Sequence, residues 1–180
     1  MHIHDIIKII KSKTILWIME SKFYIWLASS VIPYIRFNFY YTKISGSQYK
    51  KGYSVLQPGH ILVSRDHNKL TSLLVGGTWC HASLCVGKGD SSDFEVAEMT
   101  HENYGKSEFF DICKTADRVA ILECGDWDYL YLRDTVIPTC LSLENADYDY
   151  QFQFGIKSLY CSELVYESDP ERRLDVSLDD

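Results

Sequence analysis

The stretch Leu159-Tyr160-Cys161-Ser162-Glu163-Leu164-Val165 is where irregular sequence gives way to short apolar periodicity, with a cysteine at the changeover. That spacing predicts a helix starting at Cys161, whose sulfur then sits in the first turn beside backbone N–H groups lacking intrahelical partners. Amide donors and the positive end of a helix dipole favour an anion there, so the thiol is biased toward thiolate. Most free cysteines are simply small buried apolar side chains. A base elsewhere in the chain is therefore needed before the sulfur reads as a nucleophile.

Upstream, Trp79 to Gly87 reads as a strand. Alternate side chains of a strand share a face, so Trp79, His81, Ser83 and Cys85 point one way and Cys80, Ala82, Leu84 and Val86 the other. This puts His81 in mid-strand, held by rigid backbone. After the turn Gly87-Lys88-Gly89-Asp90, Phe94 to Met99 reads as a second strand paired as a hairpin, with Phe94, Val96 and Glu98 on one face. Glu98 then stands within reach of His81. A thiol at a helix start, a strand-borne histidine and an acid orienting it are the parts of cysteine nucleophilic catalysis. In that arrangement His81 takes the proton of Cys161 and returns it to the leaving group. Glu98 fixes the tautomer, and the Cys161 N–H helps to hold the oxyanion. His60, His67 and His101 fall in turns or at element edges, and His2 and His4 in the N-terminal helix, so solvated or structural roles are expected of them.

The other elements follow from punctuation and period. Pro58-Gly59 turns the chain into a strand over residues 60–64. Residues 68–75 have helical spacing, with Asn68 as cap and Gly76-Gly77 as stop. Residues 108–114 read as a helical turn and residues 118–124 as a third apolar strand. Asp126 is expected to cap a helix running to Leu143, interrupted at Pro138.

With 180 residues, 46% hydrophobic and 14% aromatic, the chain can bury a single sizeable core. Residues 1–53 carry eight Lys/Arg against two Asp/Glu, a balance of +6, and the rest carry ten against 23, a balance of −13. An acidic main body repels phosphates, which counts against nucleic-acid binding. Four of the six cysteines lie within apolar runs, so all are read as reduced, in keeping with a reducing compartment. No C-x-x-C pair is present and Cys80-His81-x-x-x-Cys85 lacks a second ligand pair, so neither a metal nor another cofactor is expected.

In residues 2–40, Ile3, Ile6, Ile7, Ile10 and Trp17 form one helical stripe, with Lys8, Lys11 and Glu20 off it. Charges interleaved with apolar residues do not make a signal peptide. The uncharged run from Phe23 to Ile35, containing Pro33, falls short of a membrane span. A basic amphipathic helix with Trp17, Phe23, Tyr24 and Trp26 either covers the domain's own core or lies on a membrane surface, so peripheral membrane contact through residues 1–40 stays open. Residues 42–52 read as a linker, dividing the chain into an N-terminal helical segment, 1–50, and a main domain, 51–180. The expected location is cytoplasmic or membrane-peripheral.

Four stretches together resemble a known family: Leu56-Gln57-Pro58-Gly59-His60-Ile61-Leu62, His81-Ala82-Ser83-Leu84-Cys85-Val86-Gly87, Val96-Ala97-Glu98-Met99 and Tyr160-Cys161-Ser162-Glu163-Leu164-Val165. Over about residues 53–167 the chain is similar to the YiiX/YebB-like branch of the circularly permuted NlpC-type papain-fold cysteine hydrolases, in which the histidine strand precedes the cysteine helix. The resemblance implies an α+β fold in which an antiparallel sheet or small barrel packs against helices. It assigns nucleophile, base and orienting roles to Cys161, His81 and Glu98, and places Tyr160 beside the active site. Where the family usually has Gly-Asp-Ile in its first strand, this chain has Gly59-His60-Ile61. The relatives include lipid acyltransferases and cell-wall peptidases. The expected activity is therefore cleavage or transfer at an amide or ester of a small acyl, lipid-linked or peptide substrate, through a thioester on Cys161. The alternatives are a peptidoglycan peptidase and a catalytically inert module that binds a membrane surface or a partner.

Overall fold

The computed structural model describes residues 18–37, 43–75, 77–151 and 158–174. The predicted stripe from Ile3 to Trp17 lies outside them. Five antiparallel strands form the central sheet in the order β4-β3-β2-β1-β5, where β1 is Ile61–Arg65, β2 His81–Lys88, β3 Phe94–Thr100, β4 Asn103–Glu108 and β5 Arg118–Leu122. It is the open-sheet form of the expected architecture, with β4 and β5 at its edges.

Alternation along the strands splits the core in two. Ile61, Leu84, Ala97 and Met99 face one side, where they meet Trp127, Tyr131, Val136, Cys140, Leu159, Leu164 and Val165. Leu62, Cys85, Phe94 and Val96 face the other, against Leu56, Phe109, Ile112 and Cys113. A sheet apolar on both faces needs helices on both. They are α5 (Tyr129–Tyr131), α6 (Ile137–Ser142) and α7 (Cys161–Glu167) on the first side, and α2 (Gly46–Val55) and α4 (Phe109–Thr115) on the second. Leu164 of α7 is fully buried. That side chain alone contributes roughly 2–3 kcal/mol by the area it removes from water.

Two local expectations change. The stretch read as a linker folds instead as α2, because Ser45 accepts from the Gln48 N–H while the Gln48 side chain accepts from the Ser45 N–H, a capping box that polar composition concealed. The long helix is capped by Asp128, which accepts from the Tyr131 N–H, and not by Asp126. Pro138 offers no N–H to the preceding turn, and the chain absorbs this in a π-helical turn, Leu132–Val136, between α5 and α6. Gly59 holds φ +91° in the turn before β1, where a Cβ would come within 2.5 Å of the Leu132 side chain, so that position requires glycine.

Before α2, helix α1 (Lys22–Ser30) leads into a short 3-10 turn, Ile32–Tyr34. The main body ties this segment down. Arg36 and Lys43 both bind the buried Asp66, at 2.6 and 2.7 Å, and the Phe37 N–H donates to the Asn68 carbonyl. Helix α3 (Leu70–Val75) follows immediately, and the Leu70 N–H donates to the Ile35 carbonyl.

Candidate active site

Helix α7 lies across β2 and β3 on the first face of the sheet, which carries Cys161 to the start of β2. Its start is set by Glu163, fully buried, whose carboxylate reaches back to the Tyr160 N–H at 3.4 Å. Its far end is fixed by Asp169, also buried, which accepts from Trp127 Nε1, from the Tyr131 hydroxyl and from the Leu174 N–H. The helix starts at Cys161, as the 159–165 stretch predicts, and the sulfur is placed from both ends of it.

Cys161 Sγ lies 4.0 Å from the Cys80 carbonyl oxygen, and the backbone N–H groups of Ala82 and Ser162 reach it. Cys161 and His81 stand close enough for each to shift the proton affinity of the other. His81 Nε2 is 2.7 Å from Glu98 Oε2. The other Glu98 oxygen, Oε1, accepts from the Ser107 hydroxyl. The three positions named from sequence converge. His81, however, is the first residue of β2 and not its middle, since the strand begins two residues later than Trp79. Register pairs Glu98 with Ser83, so the carboxylate reaches His81 along the diagonal between strands, a span long side chains cover.

The surroundings set the proton affinities. Burial works against a charged imidazole, but the bonds and charges of Cys161 and Glu98 outweigh it and raise His81 from 6.5 to about 10. Burial likewise pushes the Cys161 thiol up, and the His81 bond and charge with the two backbone donors pull it below its ordinary 9.0. Glu98 is held below the usual carboxylate range, burial being overcome by His81, Ser107 and the more distant Lys69. Together these favour thiolate and imidazolium as a pair that titrates jointly. The buried thiols of the core go the other way: burial pushes Cys85 and Cys113 up to about 12 and Cys140 up to about 11. All six cysteines are unpaired, as expected.

Aromatic residues edge the thiol. Tyr148 is raised by burial and then by the charge of Cys161, and its ring meets Tyr150 edge-on with centroids 4.9 Å apart. Tyr160, the residue before α7, is raised by burial and by the charges of Glu163 and Cys161. The Tyr150 hydroxyl donates to the His101 carbonyl, and Tyr34 lies edge-on to the His101 ring at 5.3 Å. Of the other described histidines, His67 is paired with Asp117, and His60 lies beyond the other end of β1 from Ser64, the residue that pairs with His81; His2 and His4 lie outside the described residues. Among the described residues no cluster of His, Cys, Asp or Glu is arranged to hold a metal ion.

Sequence reasoning missed Ser107 because it missed β4. Asn-Tyr-Gly-Lys-Ser-Glu is polar and mostly accessible, with no apolar alternation to mark a strand. A signal was nonetheless present: the polar residues 101–103 after Thr100 form a tight turn in which Asn103 takes φ +73° and pairs back with Thr100.

An antiparallel sheet carrying histidine and carboxylate, followed later in the chain by the cysteine helix, defines a permuted papain-like protein. Residues 55–172 match the family of permuted papain-like amidase enzymes, YaeF/YiiX, C92, and the chain belongs to that family. No curated protein and no solved structure matches the chain.

Proposed function

We propose that the protein is a cysteine amidase or esterase that works through a thioester on Cys161, with His81 as acid and base and Glu98 as the group orienting His81. The observation that carries this reading is the 2.7 Å contact of His81 with Glu98 at the start of β2, next to the Cys161 sulfur, which lies 4.0 Å from the carbonyl oxygen of Cys80, the residue before His81. In the acylation step sulfur attacks the carbonyl carbon, a C–S bond forms, and the C–N or C–O bond breaks. The proton held by His81 goes to the departing amine or alcohol. Water then attacks the thioester and gives its proton to His81; a C–O bond forms, the C–S bond breaks, and the acid leaves with Cys161 as thiolate beside protonated His81, the starting pair. The Cys161 N–H is the donor best placed for the oxyanion. Tyr148, Tyr150 and Tyr160 favour an acyl group with apolar character, lipid-linked or peptide.

Timed iodoacetamide labelling with peptide mass mapping tests the nucleophile. Cys161 should label faster near neutral pH than Cys80, Cys113 or Cys140, and labelling at equal rates would remove the activated thiolate. Incubation with p-nitrophenyl acetate should leave an acetyl group on Cys161 and on no other cysteine. Release of soluble peptides from purified cell walls, lost on Cys161→Ala, would move the substrate to peptidoglycan.

A second reading, peripheral membrane contact, is favoured by α1. None of its nine residues is buried, and Phe23 and Trp26 are 69% and 55% exposed with ring centroids 6.0 Å apart. Among the described residues no helix is long and apolar enough to cross a membrane. Aromatic side chains beside Lys22 suit the headgroup boundary of an anionic bilayer. Sedimentation with phosphatidylserine vesicles at low salt, lost in Trp26→Glu, is the expected result, and a chain that never pellets with vesicles excludes it.

A further inference from the structure

The base of this site is held by an element that the catalytic trio does not include. Edge strand β4 runs beside β3 with Val96 opposite Ser107 and Glu98 opposite Gly105. Glycine at that register leaves the space over Glu98 free of a cross-strand side chain, and no atom lies within 4 Å of where its Cβ would stand. The carboxylate reaches diagonally toward β4 and meets the Ser107 hydroxyl with Oε1 while Oε2 takes His81. Both oxygens are thus committed, one to each neighbouring strand, and a carboxylate held at both oxygens cannot swing away from the imidazole.

We infer that Ser107 is a positioning residue of the site: its hydroxyl locks the Glu98 carboxylate in the orientation that keeps Oε2 on His81 Nε2. This rests on the reading of Cys161 and His81 as the reacting pair. The hydroxyl has two opposing effects. It draws some charge from Glu98, which weakens the pull on His81, and it removes the rotation that would break the Oε2 to Nε2 bond. Glu98 is only 15% and His81 25% exposed, so water has limited room to replace the serine, and the loss of orientation decides the sign. The charged groups that face this cluster are Cys161 on α7, His81 on β2, and Lys69 before α3, which acts on Glu98 through space.

The test is the pH dependence of Cys161 alkylation by iodoacetamide, with each variant's melting temperature alongside. The native chain should show two rises, one as thiolate forms beside imidazolium and one as the imidazolium loses its proton. Ser107→Val and Ser107→Thr have nearly the same shape and differ in the hydroxyl. In Ser107→Val the upper rise should move down by about one pH unit, a tenfold change in the imidazole acid-to-base ratio, and Ser107→Thr should keep it in place. Ser107→Ala, which cannot overfill the site, should match Ser107→Val. If Ser107→Val and Ser107→Ala superimpose on the native profile, or shift it upward, while Glu98→Gln lowers it, the positioning role is overturned. A native profile with a single rise at the ordinary thiol pKa would instead overturn the ion-pair reading itself.

Discussion

Among the described residues two histidine–carboxylate pairs have the same length: His81 with Glu98 and His67 with Asp117, both at 2.7 Å. They differ in how the carboxylate is used. Asp117 places both oxygens on one residue, Oδ2 on the His67 backbone N–H and Oδ1 on its ring, and so closes a loop onto β5. Glu98 places its oxygens on two side chains from two different strands, and the imidazole it holds continues to a sulfur. On the proposed mechanism the same contact serves as a clamp in one place and as part of a chemical relay in the other. A short His–carboxylate distance alone does not distinguish the two; the group beyond the ring does.

Substitution should separate the pairs. The largest effect belongs to the sulfur: Cys161→Ala should lower acyl-enzyme turnover roughly a thousandfold or more, while His67→Asn leaves turnover near native. Turnover of p-nitrophenyl acetate with burst analysis measures both, and a large loss in His67→Asn would erase the distinction. Next come the carboxylates. Glu98→Gln should cost about a hundredfold in turnover with little change in melting temperature, since it removes the charge that supports the imidazolium. Asp117→Ala should do the reverse. Two donors of His67 lose their acceptor in a site where Asp117 is 3% exposed, a cost of about 2 kcal/mol or roughly 5 °C in melting temperature, with turnover intact.

The relay was legible in the sequence to the extent that its parts sit on strongly patterned segments. Leu84 and Cys85, and likewise Val96 and Ala97, point to opposite core faces, so the β2–β3 hairpin could be read from period two alone. The start of α7 could be read because Glu163 both caps it and precedes the apolar Leu164-Val165. Parts on weakly patterned segments were hidden. Ser107 sits on a strand whose exposed edge imposes no alternation, and α2 depends on a side-chain exchange between Ser45 and Gln48 within a stretch that is polar overall. Pro138 signalled an interruption, but whether a π turn or a break would follow was settled by packing, with Val136 and Cys140 both fully buried on either side of it.

The smallest effect is on stability against pH, and it too separates the pairs. Unfolded, His81 takes its ordinary value of 6.5 and Cys161 its ordinary 9.0; folded, the first is raised to about 10 and the second lowered. The raised imidazole contributes stability that is fully present below 6.5 and is lost as pH rises through about 10, and the lowered thiol contributes stability that is present above 9.0 and is lost as pH falls through its folded value. Above 9.0 the unfolded chain holds neither proton while the folded pair still holds one, so stability declines as pH approaches about 10. The melting temperature of the native chain minus that of Cys161→Ala should therefore fall between 9.0 and about 10. The corresponding difference for His67→Asn should show no fall tied to the thiol at the alkaline end. A difference curve for Cys161→Ala that stays flat across the whole range would mean that the sulfur and the ring hold no shared proton, and that the two pairs differ in position alone.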